Sequence, residues 1–281
     1  MDCSMGSKYS GVSAVHRPEA LFLDIDGTIL KSDHSMSLRV SDAIEALRAA
    51  GTLICLATGR SWEALKPLYD RMGLKGPAIC YNGAMIVEGP EGNVVFEQDL
   101  GDEVSRAAIT EAKARNMEMV GYRHSKLLYE KKGPEVEAYV SRVKIPGGSV
   151  DFSSLEKLEF TKTIIFSEHE LLEPLKADFE KRFSSDKLSA TYSDLRFLEF
   201  MGGNIDKGRG LVEVCRIHGI NPENSTAMGD WWNDLALLQA AGDAWVMGGA
   251  SDEMKALFPS DRIALSVEED GAALVMEAML G

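Results

Sequence analysis

The chain has no closely spaced cysteines. Its four, Cys3, Cys55, Cys80 and Cys215, are scattered, with neither the spacing of a zinc site nor the density of a disulfide-stapled secreted domain. Long hydrophobic runs are also missing. No stretch approaches the roughly 20 apolar residues that cross a bilayer, and no apolar segment of signal-peptide type opens the chain. The third shortage is positive charge: 30 Lys and Arg against 44 Asp and Glu leave a net charge of −14. That is a poor match for a nucleic-acid backbone or an anionic membrane, both of which recruit basic surface. These absences predict a soluble cytoplasmic protein with reduced cysteines, and neither nucleic acid nor membrane as partner. An anionic ligand must then find its positive charge locally.

Apolar substance, by contrast, is plentiful. At 45% hydrophobic over 281 residues, the chain can bury one large core or two smaller ones. Residues 1–17 are small and polar and read as a flexible tail. The stretch Ala20–Leu30, ALFLDIDGTIL, organises the rest of the chain. Ala20–Leu23 does not alternate, so it reads as a strand buried on both faces. Asp24 and Asp26 stand where that strand leaves the sheet, the end at which open parallel sheets bind ligands. Two acids there are costly without a partner, and a hard cation is the simplest one. Gly27 permits a tight turn, and Thr28 adds a hydroxyl where a phosphate fits.

Next come a helix at 37–50 and a second apolar strand at 52–57, the strand ending in Thr58-Gly59-Arg60. A further helix opens at the Ser61 cap. A third strand, 77–81, ends at Asn82-Gly83. This strand–helix alternation is the signature of a parallel α/β sheet. After Gly83 the rhythm changes. A hairpin around residues 88–92, strands near 117–122, 126–130, 159–167 and 188–192, and helices at 104–115 and 168–183 suggest an α+β insert, a sheet with two helices on one face. The α/β rhythm returns near Met201, with a helix at 207–218, strands at 225–228 and 244–247, and helices at 234–241 and 270–280. The expected division is therefore a core of residues 18–83 plus 201–281, with residues 84–200 inserted as a second domain.

Four polar clusters end strands or begin helices in the core pieces: DIDGTIL from Asp24, TGR from Thr58, DKG around Lys207, and GDWWND around Asp230. In sequence and order they resemble the four motifs of the haloacid dehalogenase superfamily of phosphohydrolases. The insert between the second and third is similar to a C2-type cap, and the nearest subgroup is the Cof-type phosphatases. The resemblance implies a Rossmann-like parallel sheet carrying an α+β cap, Mg²⁺ as cofactor, and a small phosphorylated metabolite as partner. Sugar phosphates come first, then cofactor phosphates such as pyridoxal phosphate or a flavin mononucleotide-like compound.

The resemblance also implies a role for each site residue. Asp24 is the nucleophile, forming an aspartyl-phosphate. Asp26 is the acid/base for leaving group and water, and its backbone carbonyl also binds the metal. Asp230 joins Asp24 as a side-chain metal ligand, and Asp234 either ligates the metal or holds one of its waters. Thr58, Gly59, Lys207 and Asn233 face the phosphoryl oxygens, Lys207 supplying the fixed positive charge. Gly249 stands where Cof-type sequences commonly carry asparagine. For Trp231 and Trp232 the simpler reading is packing of their own loop, with stacking on a substrate ring or closing against the cap as the alternative. Arg123, His124 and Lys126 are candidates for reading a polar headgroup, although solvation at a strand end is the simpler reading. Two other functions stay open: a phosphotransferase or phosphomutase passing the group to a sugar, and a non-catalytic sensor of a phosphorylated ligand.

Overall fold

The computed structural model describes residues 15–123 and 125–281. Most of the predicted tail (residues 1–14) and His124 lie outside the described residues. In chain order the elements are β1 (Ala20–Leu23), α1 (Leu38–Ala49), β2 (Leu53–Ala57), α2 (Trp62–Arg71), β3 (Pro77–Cys80), β4 (Met85–Glu88), β5 (Asn93–Glu97), α3 (Asp102–Ala114), β6 (Glu118–Arg123) and β7 (Lys126–Tyr129). They continue as α4 (Pro134–Val143), β8 (Gly147–Ser149), β9 (Lys162–Phe166), α5 (His169–Arg182), β10 (Leu188–Asp194), β11 (Phe197–Gly202), α6 (Lys207–His218), β12 (Ser225–Gly229), α7 (Leu235–Ala240), β13 (Asp243–Val246), α8 (Asp252–Lys255) and α9 (Gly271–Leu280). Among the described residues no helix is long and apolar enough to cross a membrane.

The chain forms two compact units. One takes in residues up to Ala57, Gly76–Ala78 and Lys207–Gly281; the other is Thr58–Lys75 with Ile79–Asp206. In the first unit β13, β12, β1 and β2 lie side by side, all parallel, with Leu23 level with Met228 and Leu56. All four residues of β1 are fully buried. A strand covered on both faces needs a continuous apolar run, and ALFL supplies it. The Ser37 hydroxyl accepts the Val40 N–H at 3.2 Å and so caps α1. Arg39 on this helix makes a two-pronged ion pair with Glu277 of α9, 2.6 Å on each arm.

The second unit holds the hairpin of β4 and β5 and a six-stranded sheet in the order β10-β11-β9-β6-β7-β8, antiparallel except where β8 joins β7. Helices α3 and α5 cover one face. Val104, Ala108, Leu172, Leu175 and Phe179 pack there with Met119, Ile165, Leu198 and Phe200 of the strands. Burying each large side chain of this set stabilises the unit by about 1.5–3 kcal/mol. The other face carries Lys162 and Glu199, a buried ion pair at 3.0 Å, with Tyr139 of α4 packed on Phe166 and Phe197. The sequence reading misses α4, although Val136, Tyr139, Val140 and Val143 fall at helical spacing, and β8, which is Gly-Gly-Ser. It also stops short of β11, which runs through Met201 to Gly202.

Candidate active site

Asp24 is the first residue beyond β1. Its N–H donates to the Met228 carbonyl at 3.0 Å, one more rung of the β1–β12 ladder. The side chain leaves the sheet at its carboxyl end and is only 9% exposed. Lys207, the fully buried first residue of α6, places its ammonium 2.5 Å from Asp24 Oδ1 and 2.5 Å from Asp234 Oδ1. The second oxygen of Asp234 accepts the N–H groups of Asp230 and Trp231 at 3.1 and 3.0 Å. One carboxylate thus orients the lysine and also folds the turn that presents Asp230.

Two glycines make this convergence fit. Gly27 has φ +85°, and a Cβ on it would collide with the Asp230 carboxylate. A Cβ on Gly208 would collide with the Ala236 carbonyl, so its absence lets α6 start hard against α7. Thr28 departs from the sequence reading. Its buried hydroxyl points to Asp230 Oδ1 at 3.4 Å, within the turn itself.

The electrostatics follow from burial. Removal from water pushes the Asp24 carboxyl up to about 7; Lys207 opposes this, and the negative charge of Asp234 adds to it. Burial, then Asp234, push Asp230 up to about 6. Burial works against the charge on Lys207 too, but Asp24 and Asp234 outweigh it and hold the ammonium above its ordinary range. Burial is the larger cause at both Asp24 and Asp230, and the negative charge of Asp234 adds to it.

Such a site has the character of a cation site. One carboxylate oxygen from each of Asp24, Asp230 and Asp234 lies within 4.8 Å of the others, and an all-oxygen set suits a hard divalent ion. Both oxygens of Asp234 are engaged, so Asp24 and Asp230 fit a metal as ligands and Asp234 fits as their support. Asp26 lies next on the turn with a half-exposed side chain, and His34 Nδ1 is 3.7 Å from its carboxylate. That contact carried no sequence signal: His34 is eight residues downstream, in a loop.

The second unit holds Thr58 and Gly59. Thr58 is buried directly after β2; its N–H donates to the Ile79 carbonyl at 2.9 Å and its hydroxyl accepts the Arg60 N–H at 3.2 Å. In the same unit Arg123 pairs with Glu159 at 2.6 Å, while Lys126 is exposed. Asn233 is exposed in the turn between Asp230 and Asp234. Trp231 and Trp232 are 61% and 47% exposed, so they do not pack their loop as the simpler reading had it.

Residues 21–276 match the family model of the haloacid dehalogenase-like hydrolases. The chain belongs to that family. Among relatives, the phosphatase YwpJ of Bacillus subtilis is 23% identical, with 92% of this chain and 98% of that protein covered. An HMP-PP phosphatase of Yersinia pseudotuberculosis is 26% identical over 89% of this chain and 91% of its own length. A haloacid dehalogenase-like hydrolase from Bacteroides thetaiotaomicron, solved by crystallography, superimposes with a TM-score of 0.81 at 26% identity, covering 92% of this chain and 98% of that one.

In this hydrolase Gly27 and Gly249 should respond differently to a methyl group. Gly27→Ala forces a left-handed residue onto the Asp230 carboxylate, so turnover should fall by about 10²-fold, as expected for a misplacement near 1 Å. Gly249→Ala, or Gly249→Asn as in Cof-type sequences, enters open space and should leave the melting temperature and turnover near parental values. Parallel assays and thermal scans of the variants check both.

Proposed function

We propose that the chain, a phosphohydrolase of the haloacid dehalogenase superfamily, releases phosphate from a small phosphorylated metabolite through an aspartyl-phosphate on Asp24. The observation that carries this reading is the buried Asp24 carboxylate at the end of β1, fixed by Lys207 beside Asp230 and Asp234. A carboxylate so placed attacks phosphorus while the bond to the leaving oxygen breaks. Asp26, open to solvent exchange, gives that oxygen a proton. The Asp26 carboxylate then takes a proton from a water, which attacks the phosphorus, frees inorganic phosphate and restores Asp24.

Lys207 keeps its charge throughout and offsets the anion. Thr58, Gly59 and Asn233 are assigned to the phosphoryl oxygens. Mg²⁺, held by Asp24, Asp230 and the Asp26 carbonyl, would supply charge neutralisation at the phosphoryl group when bound. Residues 18–83 and 201–281 are assigned as the catalytic core and 84–200 as the cap that selects the leaving group. The name of the Yersinia relative, an HMP-PP phosphatase, favours a small phosphorylated metabolite as substrate; a sugar phosphate is the first to try, a cofactor phosphate the second. A cytoplasmic setting fits the buried free thiols of Cys55, Cys80 and Cys215.

The test is phosphate release from p-nitrophenyl phosphate and a metabolite panel, in excess Mg²⁺ and in EDTA. Activity should vanish with EDTA and return with Mg²⁺. Silence on every substrate in excess Mg²⁺ would sink the proposal. Transfer to an added sugar without free phosphate would replace it with a phosphotransferase.

A further inference from the structure

Three consecutive residues after β3, Tyr81, Asn82 and Gly83, have φ of 49°, 52° and 108°. This is the left-handed region that only glycine enters freely, and two of the three are not glycine. Backbone of this kind persists where its surroundings over-determine it, and it concentrates at functional sites.

The surroundings are specific. The Tyr81 N–H donates to the Arg60 carbonyl at 3.0 Å and the Asn82 N–H to the Thr58 carbonyl at 2.9 Å; in return the Thr58 N–H donates to Ile79 at 2.9 Å. The Thr58-Gly59-Arg60 loop is thereby bonded along its length to residues 79–82. The Asn82 side-chain amide lies against Gly59, close enough that a Cβ there would meet it at 3.1–3.5 Å. Gly83 sits so tightly on the Asp206 carbonyl that no Cβ fits, and Asp206 is the residue before Lys207. One turn therefore fixes the Thr58 loop and packs against Asp206, all within the second unit.

We propose that Asn82 is a positioning residue for phosphoryl binding. Its left-handed backbone sets the height of Thr58, and its amide is the floor on which Gly59 rests. The ligand it serves is a phosphate monoester or inorganic phosphate, bound through the loop and not by Asn82 itself. The inference rests on the assignment of Thr58 and Gly59 to the phosphoryl oxygens. A loop that offers a hydroxyl and backbone to a tetrahedral anion must be held within a fraction of an ångström, because a 1 Å error costs about 10²-fold.

Asn82→Gly tests this, since glycine tolerates the backbone and removes only the amide. KM and kcat for p-nitrophenyl phosphate and the inhibition constant of inorganic phosphate are measured in saturating Mg²⁺, beside a thermal scan. The expected result is an unchanged melting temperature with KM and the phosphate inhibition constant raised about tenfold or more. Unchanged constants overturn the proposal.

Gly59→Ala should weaken phosphate inhibition in the parent and do so less in the Asn82→Gly background, where the obstructing amide is gone. Equal penalties in both backgrounds also overturn it. Thr58→Ala separates the two levels. If it leaves phosphate inhibition intact, the assignment of Thr58 fails and this route through the loop fails with it. If it weakens inhibition while Asn82→Gly does not, only the role of Asn82 fails. Should Asn82→Gly not fold, Asn82→Asp, equal in size and tolerant of the left-handed region, takes its place. Its carboxylate under Gly59 should raise the same two constants, and unchanged values overturn the proposal.

Discussion

Asp24→Asn should lose turnover by about 10⁴-fold or more, and in metal-free buffer at pH 8 it should melt at a higher temperature than the parent. The first effect follows from the role proposed for Asp24: removing a nucleophile from a covalent mechanism typically costs about 10⁴- to 10⁶-fold. The second comes from linkage. Unfolded, the carboxyl titrates near its ordinary value of about 4; folded, it is pushed up to about 7. The folded state holds the proton more tightly, so this group's contribution to stability is complete below about pH 4 and is lost as pH rises through about 7. Asparagine has no such proton to lose. Thermal scans in EDTA from pH 5 to pH 8 should therefore show the parent falling more steeply than the variant, with the gap widest at pH 8. Saturating Mg²⁺ should raise the parent and narrow the gap if the ion is held as proposed by Asp24 and Asp230, which come together only in the folded state. Retained turnover would remove Asp24 as the nucleophile. Parallel pH curves would show that its ionisation does not shape stability.

The parallel sheet of the first unit was legible because its strands are buried on both faces and so are spelled by unbroken apolar runs, ALFL and LICLA. Asp24, Asp230 and Lys207 were legible for a related reason: each is polar at the edge of an apolar element, where a charge needs a cause. What escaped the sequence depends on partners remote along the chain. The hydroxyl of Thr28 was free to serve a phosphate until the fold brought Asp230, 202 residues away, within reach. The choice left open for Asp234 was narrowed by Lys207 and two amides. The strand at Phe197–Gly202 holds Glu199 in the middle of an apolar run, and that charge is tolerable because Lys162, diagonal to it on the neighbouring strand, and the Ser193 hydroxyl both reach its carboxylate. No local pattern announces such a pair. The Tyr81-Asn82-Gly83 turn escaped similarly, since Asn-Gly reads as an ordinary turn until its three positive φ values are seen.

Lys207 sets a fixed positive charge between Asp24 and Asp234, and Lys207→Met should cost both stability and turnover. With the ammonium gone, two buried carboxylates lose their shared partner, and Asp230 loses the attraction that offsets its neighbour Asp234. Removing one member of a buried ion pair costs about 3–5 kcal/mol, because the charge left behind has neither water nor counterion. The penalty has a sign in pH. The Asp24 and Asp230 carboxyls, already raised by burial, go higher still without the lysine, so the variant sheds stability more steeply than the parent between pH 5 and pH 8 and comes closest to it at the acid end. Turnover should fall by 10³-fold or more, about what is lost when a preorganised charge at a developing anion is removed. Lys207→Arg separates charge from shape. It keeps the charge, but a planar fork does not fit a fully buried point between two carboxylates, so it should regain part of the stability and little of the turnover. Urea melts at three pH values, with assays in saturating Mg²⁺, read both quantities. If the methionine variant is as stable as the parent at pH 8, the lysine does not neutralise the cluster. If the arginine variant is fully active, the two 2.5 Å contacts are not what catalysis requires.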